Sequence, residues 1–304
     1  MRKQSLLTNQ QIEAFISRHR LPAKFHHLID EHYLSLASWI VQKRVANQPL
    51  FIGINGAQGT GKSTLAAFLR LALKLGAGWH VAILSIDDFY LTKQERERLA
   101  THVHPLLKTR GVPGTHDLKL LSSCLDDLRS LAACTDLQLP CFDKARDDRV
   151  AAEAWPVISG PVDVIILEGW CVGSAPQKGD ALRQAINSLE EQQDAAGEWR
   201  RFVNDQLAGD YAELFAQLDA LVFLQAPDFD AVYRWRLEQE EKLAAVTANS
   251  GADIMNKEQI ARFIQHYERI TRENFVALPK TADVVLELDT DHDCVQVHYA
   301  TPFN

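Results

Sequence analysis

The sequence contains no long apolar run and no cysteine pattern. No stretch of its 304 residues approaches the length of apolar sequence that crosses a bilayer, and the N-terminal residues MRKQSLLTNQQIEAF lack the apolar core of a signal peptide. The cysteines form no C-x-x-C pair and no zinc-like spacing, which is typical of a reducing compartment. They are Cys124, Cys134, Cys141, Cys171 and Cys294. These absences predict a cytoplasmic protein that has no membrane partner.

Charge of one sign is not concentrated anywhere along the chain. No run of five or more like charges occurs, and the net charge is −8. A protein whose main partner is nucleic acid needs a basic stripe that follows the phosphate backbone, so nucleic acid is not expected as a partner. The composition, 46% hydrophobic and 24% charged, is that of a globular protein long enough for one elaborated α/β domain or two small ones.

Five short apolar segments are present, each rich in Val, Ile and Leu and apolar on both faces. Strands of a parallel sheet that is covered on both sides have this pattern. Helical segments separate them, so the sequence predicts an α/β fold with a five-stranded, mostly parallel sheet and helices on both faces. The predicted strands are LFIGIN (50–55), VAILSI (81–86), VDVIIL (162–167), DALVFL (219–224) and ADVVLEL (282–288).

Two parts of the chain are predicted to be helical additions to this sheet. Residues 1–48 are expected to form an N-terminal extension, because Thr8 and Gln11 have capping-box spacing before an apolar-periodic run. Residues 49–304 are expected to form one domain, in which the polar, mostly helical segment 178–217 is an insertion. No repeat or flexible linker suggests a further division.

Two long connections, roughly 88–117 and 140–161, have less regular sequence than the rest of the chain. In a doubly wound sheet such connections lie outside the carboxyl ends of the strands, where ligands bind. These two segments are therefore expected to contribute residues to a binding site.

The first strand is followed directly by GAQGTGKS (56–63), which matches the pattern G-x-x-x-x-G-K-S/T. Glycines at these positions allow backbone N–H groups to approach phosphate oxygens. Lys62 is expected to reach the β- and γ-phosphates of ATP, and Ser63 to ligate Mg²⁺. A chance glycine-rich turn is the alternative, but a buried strand before it and an amphipathic helix after it favour a three-layer P-loop NTPase fold. The predicted ATP contacts from this loop are Gly56, Ala57, Gln58, Gly59, Thr60, Gly61, Lys62, Ser63 and Thr64.

Two acidic positions follow predicted strands and favour a kinase over other P-loop proteins. The guanine-selecting sequence Asn/Thr-Lys-x-Asp of GTPases is absent, as is an LSGGQ-like sequence. Glu168 ends the third strand and is predicted to hold Mg²⁺, although it could be an ordinary strand-end carboxylate. Asp87 is predicted to accept the proton of an acceptor hydroxyl. Asp88 is the weaker candidate for this role. The alternatives are that Asp88 caps the following turn and that Asp87 does the same or binds Mg²⁺.

Residues of the long connections could bind the acceptor. Arg110, His116 and Asp117 in TRGVPGTHD could bind a small polyhydroxylated or carboxylated substrate, and Lys144, Arg146 and Arg149 in DKARDDR could neutralise an anionic acceptor. After the fourth strand, Arg234 and Arg236 could close over ATP as a lid. The alternatives are a polar loop for the first group, a solvated face for the second, and surface ion pairs with Glu238 and Glu240 for the arginines.

Several blocks of sequence together resemble the D-glycerate 3-kinase family, which groups with uridine kinase, phosphoribulokinase and pantothenate kinase. They are GAQGTGKST, SIDDFYLT, TRGVPGTHDLKL, the DDR of 147–149, LEGWCVG and YRWRLEQE. The resemblance implies ATP-dependent phosphorylation of a small-molecule hydroxyl, D-glycerate to 3-phosphoglycerate. It implies Asp87 as the base, Glu168 as the acid of the Glu-Gly step, and Arg234 and Arg236 as the lid.

The resemblance also implies that Arg110, His116 and Asp117 line the acceptor side of the site. One position departs from the family pattern, because Phe142 stands where related sequences often have a tyrosine. Two other functions remain open at this point. One is a kinase of another small alcohol, such as a nucleoside or a pantothenate-like compound. The other is an ATP-dependent switch or assembly protein with no metabolite as acceptor.

Overall fold

The fold is built on one central sheet of six strands, in the order β10-β9-β8-β1-β7-β2. The structure is a computed structural model and describes residues 6–45, 48–247 and 255–301. Five strands are parallel, and β10 pairs antiparallel with β9 at one edge. The strands are β1 (Leu50–Gly56), β2 (Val81–Ser85), β3 (Asp136–Gln138), β4 (Phe142–Asp143), β5 (Asp148–Arg149), β6 (Val157–Ser159), β7 (Val164–Gly169), β8 (Ala220–Gln225), β9 (Val284–Leu288) and β10 (Cys294–Tyr299).

Helices cover both faces of this sheet. The longest helices are α4 and α11, together with α10, whose amino end follows β8. They are α1 (Asn9–Arg18), α2 (Phe25–Leu28), α3 (Leu34–Lys43), α4 (Lys62–Ala77), α5 (Lys93–His102), α6 (Leu118–Ser130), α7 (Ser188–Gln193), α8 (Glu198–Ala208), α9 (Asp210–Phe215), α10 (Phe229–Thr247) and α11 (Lys257–Ala277). One apolar core lies between the sheet and α1, α3, α4 and α10, and a second lies between the sheet and α6, α8 and α9. The predicted three-layer α/β arrangement is confirmed.

All five predicted strands are present, but the sheet has a sixth. The prediction of five strands is wrong in number because β10 was not recognised. This strand forms a hairpin with β9, and only one of its faces packs on the protein. A half-exposed edge strand lacks the continuous apolar run by which the other five were found.

The register of the parallel strands brings distant residues to one edge of the sheet. Ile54 on β1 pairs with Glu168 on β7, and Ser85 at the end of β2 pairs with the same Glu168. The three strands therefore end at one level. The segments that follow β1 and β2 leave the sheet directly beside Glu168.

The N-terminal residues form helices that pack on the same core as the sheet. The predicted capping box of Thr8 and Gln11 is present at the start of α1. The rings of Phe15 on α1 and of Tyr33 before α3 each lie 5.5 Å from the ring of Phe68 on α4. The predicted boundary at residue 48 stays a prediction.

The segment predicted as an insertion contains α7, α8 and α9. Glu190 on α7 is fully buried and forms an ion pair of 2.6 Å with Arg269 on α11. Arg200 on α8 is also buried and donates to Asp194. These buried charges join α7 and α8 to α11. Whether 178–217 is an insertion stays a prediction.

The long connection between β2 and β7 is more ordered than the sequence suggests. It contains α5 and α6, and two small antiparallel ribbons, β3–β6 and β4–β5. None of the helices in the described part of the chain is long and apolar enough to cross a membrane.

Candidate active site

The loop between β1 and α4 adopts a conformation that requires glycine. Gly59 and Gly61 have φ values of +86° and +87°, in the left-handed region that other residues rarely adopt. The Thr60 hydroxyl donates to the carbonyl of Ala57 at 2.9 Å and closes the turn. Helix α4 begins at Lys62, so the loop ends at the amino terminus of a helix of 16 residues. This end carries a partial positive charge, which is suited to phosphate.

A cavity of about 430 Å³ opens beside this loop. Nine of the predicted site residues line it. They are Gln58, Gly59, Lys62, Ser63, Asp87, Arg110, Lys144, Glu168 and Arg236. The rest of its lining comes from Ser85, Tyr90, Trp170, Gln239, Glu240, Phe263 and Tyr267. The other predicted ATP contacts of the loop, Gly56, Ala57, Thr60, Gly61 and Thr64, lie between the end of β1 and the first turn of α4.

The side-chain oxygens of Ser63 and Glu168 lie next to each other in the lining of the cavity. The Ser63 hydroxyl donates to Oε1 of Glu168 at 2.9 Å. Oε2 of Glu168 is buried and has no hydrogen-bond partner in the described part of the chain. A buried carboxylate oxygen without a partner is unfavourable, and a cation would satisfy it. Hydroxyl and carboxylate oxygens are ligands that Mg²⁺ prefers, so the pair fits this ion.

Asp87 lies on the turn that follows β2 and is held from two sides. The Tyr90 hydroxyl donates to Oδ1 at 2.7 Å, and the Lys144 ammonium donates to Oδ2 at 2.6 Å. Burial alone would raise the pKa of Asp87, but Lys144 and the Tyr90 hydroxyl outweigh it and lower the pKa to about 2. Asp87 is therefore a carboxylate throughout the neutral range, with both oxygens engaged.

Asp88 has a different environment from its neighbour. Its Oδ1 accepts from the backbone N–H of Phe142 at 3.1 Å, which ties the turn to the β4–β5 ribbon. Burial raises the pKa of Asp88, and the nearby carboxylates add to the effect. Asp88 does not line the cavity. The two acids thus have distinct positions, and only Asp87 faces the space where a ligand would lie.

Arg110 is fixed at the cavity by Asp147. Its guanidinium forms an ion pair with Asp147 and lies 5.6 Å from the ring of Phe142. Asp147 also accepts from Arg96 at 3.0 Å, and Arg96 is fully buried and donates to three backbone carbonyls. A buried arginine that donates to several carbonyl and carboxylate oxygens has little freedom to move and is a rigid support. Arg110 therefore enters the cavity from a fixed position.

Three predicted acceptor contacts lie behind Tyr90 rather than in the cavity lining. The ring of His116 stacks on that of Tyr90 at 4.8 Å, and His116 Nδ1 lies 2.6 Å from the Tyr211 hydroxyl. Asp117 caps α6 and pairs with Arg149 at 3.0 Å, and Arg149 donates to the Tyr90 carbonyl. Burial lowers the pKa of His116 to about 4, so this ring is neutral.

The two predicted lid arginines differ in position. Arg236 lines the cavity and forms an ion pair of 2.6 Å with Glu240. This ion pair is the alternative to a lid that the sequence left open. Arg234 is exposed and does not line the cavity. Between them, the buried Trp235 packs against Gly59 of the phosphate loop.

The aromatic lining of the cavity was not found from the sequence. Trp170 donates to the Gly111 carbonyl at 2.9 Å, and the Tyr267 hydroxyl donates to the Arg110 carbonyl at 3.1 Å. Tyr90 and Phe263 complete this set. Trp170 lies two positions after Glu168, and Tyr90 lies three positions after Asp87. This closeness in sequence to the predicted acids is the signal that could have indicated these two aromatic residues.

Comparison with individual known proteins assigns the chain to a family, whereas no protein-family model matches it. The uncharacterized kinase mug58 of Schizosaccharomyces pombe is 35% identical over 234 residues, which are 74% of this chain and 81% of that protein. The solved structure of D-glycerate 3-kinase from Cryptococcus neoformans has a TM-score of 0.71 and 27% identity, covering 88% of this chain and 99% of that one. The chain belongs to the D-glycerate 3-kinase family of P-loop kinases.

A plant protein extends this family relationship. The chloroplastic D-glycerate 3-kinase of Arabidopsis thaliana is 30% identical over 254 residues, which are 81% of this kinase and 53% of the plant protein. The match therefore spans about half of the plant protein's length. As a P-loop kinase, the chain is an ATP-dependent phosphotransferase, and the cavity beside its phosphate loop is the candidate active site.

Proposed function

We propose that this kinase transfers the γ-phosphoryl group of ATP to a hydroxyl of a small carboxylate, D-glycerate, and forms 3-phosphoglycerate. The observation that carries the proposal is the position of Asp87, which shares one cavity with Lys62 and has the cations Lys144 and Arg110 beside it. The relatives from Arabidopsis and Cryptococcus, both named D-glycerate 3-kinase, support this choice of acceptor.

The donor nucleotide is bound by the phosphate loop. Backbone N–H groups of residues 56–63 cradle the phosphates, and Lys62 and Arg236 reduce the negative charge that develops during transfer. Ser63 and Glu168 would hold Mg²⁺, which neutralises phosphate charge when it is bound. Arg234 is exposed and lies outside the cavity lining, so Arg236 is the lid arginine that the proposal uses.

The transfer step requires one acceptor hydroxyl and one carboxylate. The hydroxyl oxygen bonds to the γ-phosphorus, the bond from that phosphorus to the β–γ bridging oxygen breaks, and ADP leaves. The hydroxyl proton passes to Asp87. Because the transition state of phosphoryl transfer is loose, the proton moves late, and Asp87 first orients the hydroxyl and then receives its proton.

The acceptor must first gain access to Asp87, since both carboxylate oxygens are engaged. The Lys144 side chain is 59% exposed and lies on the short β4–β5 ribbon, so it is free to turn. The acceptor hydroxyl replaces it at Oδ2, and the released ammonium binds the acceptor carboxylate together with Arg110. His116, Asp117 and Arg149 position Tyr90, which keeps its hydrogen bond to Oδ1.

The test is an ADP-release assay with glycerate, uridine, pantothenate and pentoses as acceptors. We expect a rate that depends on glycerate and falls by about 10²–10⁴-fold in Asp87→Asn, because the base and its charge are lost while the shape is kept. Asp88→Asn is the matched control. It retains an oxygen that can accept from Phe142, so it is expected to lose less than about tenfold.

Other outcomes would change either the proposed acceptor, the proposed function or the role of Asp87. A uridine- or pantothenate-dependent rate would replace glycerate by another alcohol. ATP hydrolysis that no acceptor stimulates would instead support a nucleotide-dependent switch. Full glycerate-dependent activity of Asp87→Asn would reject the base assignment while leaving the acceptor in place.

A further inference from the structure

A second cavity lies on the side of the sheet that carries α1 and α4. It has a volume of about 990 Å³, more than twice that of the active-site cavity at about 430 Å³. Its walls are α1, α4, the edge strand β2 and the outer strand β6 of the small β3–β6 ribbon. We call it the α1–α4 groove. None of the predicted ATP, acceptor or metal residues lines it.

In the part of the chain that the structure describes, the lysines, arginines and histidines that line the groove are not accompanied by acids. They are Arg18 and His19 at the end of α1, Arg70 and Lys74 on α4, and His80 before β2. No Asp or Glu lines it among the described residues, although the whole chain has a net charge of −8. Within the same part of the chain, no carboxylate forms an ion pair with Arg18, Arg70 or Lys74.

These cations are close enough to influence one another. Arg70 and Lys74 are four residues apart on one helix face, a spacing at which like charges repel. Burial lowers the pKa of His19, and Arg18 and Arg70 lower it further. Three permanent positive charges thus converge on one space, and a bound anion would relieve their repulsion.

The floor and rim of the groove are apolar. Leu71, Val81 and Ile83 contribute to the lining, and two rim residues are large apolar side chains left in contact with water. These are Leu75, which is 47% exposed, and Val157, which is 56% exposed. A cavity with an apolar floor and a few convergent charges has the composition of a small-molecule site.

An alternative explanation is that the cations protect the open edge of β2 against pairing with another chain. Proteins that use charge in this way place it on the edge strand itself. Here the strand VAILS carries no charge, and the three permanent cations lie on the two helices beside it. Protection of the edge therefore does not explain where they are.

We propose that the α1–α4 groove binds a small organic anion, with its charged group among Arg18, Arg70 and Lys74 and its apolar part on Leu71 and Ile83. The ligand would contact α4 and β2, whose other ends carry Lys62 and lead to Asp87. The site is separate from the acceptor site and does not depend on which alcohol the kinase phosphorylates.

The test uses 8-anilinonaphthalene-1-sulfonate, an apolar anion whose fluorescence rises when it is bound away from water. The full-length kinase is titrated in saturating ADP and MgCl₂, so that the nucleotide site is filled. We expect one saturable site per chain, weaker at high salt. The double variant Arg70→Gln, Lys74→Gln should raise the dissociation constant at least about tenfold, because two of three charges are lost.

The matched control removes two exposed cations from other helices, Arg98→Gln on α5 and Lys257→Gln on α11, and should leave the dissociation constant within about twofold. A second variant, Leu71→Glu, places an acid on the floor and should abolish binding while the thermal unfolding midpoint shows that the chain is folded. The proposal is overturned if no saturable site is found, or if both double variants bind the probe as the unmodified kinase does.

Discussion

At the scale of single residues, the engagement of Asp87 by Lys144 decides how the site responds to pH. Burial would raise the pKa of Asp87, and the Lys144 ammonium is the first of the contacts that lower it to about 2. The carboxyl group is thus ionised in the free enzyme at any pH used for assay. Its ionisation depends on a lysine whose side chain is mostly exposed to water.

Lys144→Gln should therefore shift the pH dependence of the kinase. Without the ammonium, burial raises the pKa of Asp87 with less opposition, so the acidic limb of kcat/KM moves to higher pH. The KM for the proposed acceptor, glycerate, should rise roughly 10–100-fold, because the proposed charged contact with its carboxylate is lost. Steady-state kinetics from pH 9 down to the lowest pH at which the kinase stays folded measure both effects.

The control for this variant lies on the same ribbon. Arg146 is an exposed cation that pairs with Asp143, and Arg146→Gln should leave the acidic limb in place. An unchanged limb in Lys144→Gln would show that Asp87 is not the group whose ionisation limits the rate.

The sequence predicted which residues at the strand ends lie together better than it predicted the orientation of residues on turns. Glu168 lies on β7 and Ser63 on the first turn of α4, and the pairing of β1 with β7 brings them together. His116 and Asp117 follow a glycine–proline turn, and the direction of such a turn is set by what it packs on. The turn packs on Tyr211, 95 positions away from His116, a contact that no local pattern contains.

At the scale of elements, the sequence predicted the strands that are apolar on both faces. It did not predict the strands that can be recognised only from the strand with which they pair. Strand β10 exists because β9 offers it an edge. The ribbons β3–β6 and β4–β5 are pairs of two or three residues, too short to show a period. Helix α5 begins with a capping box of Thr92 and Glu95, a signal that was present in the sequence and passed over.

The phosphate loop and α10 form one packed unit, which a pair of glycine variants can test. A Cβ at Gly59 would lie 2.5 Å from the Cβ of Trp235, whereas a Cβ at Gly61 would meet nothing within 4 Å. Both residues have positive φ, so alanine costs about 1–2 kcal/mol of backbone strain at either position. Gly59→Ala should lose stability and ATP affinity beyond this, because α10 must move.

Thermal unfolding and nucleotide titration of the two variants separate strain from packing. In thermal unfolding without nucleotide, Gly61→Ala carries only the backbone strain, so the difference between the two variants measures the contact with Trp235. Equal losses in both would mean that α10 does not constrain the loop.

At the scale of the whole molecule, the N-terminal helices complete one of the two cores. Phe15 is buried against Phe68 on α4, the helix that begins at the phosphate loop. Phe15→Ala should lower the free energy of unfolding by about 3–5 kcal/mol and preserve a single transition. Ser17→Ala, at an exposed position of the same helix, should change it by less than about 0.5 kcal/mol.

Denaturant unfolding followed by circular dichroism measures this difference. Two separate transitions, with only the weaker one affected by Phe15→Ala, would make residues 1–48 an independent unit. A single transition would mean that the extension and the sheet fold together.

The order of strands in the sheet also has a consequence for synthesis of the chain. Strand β1 is made first, but its two neighbours are β7 and β8, and the second of these ends at Gln225. During synthesis, β1 and the phosphate loop can therefore leave the ribosome long before the two strands that flank β1 have been made. Such non-local pairing is slow and leaves an apolar strand exposed in the meantime. The nascent kinase is expected to depend on chaperones until most of its length has been translated.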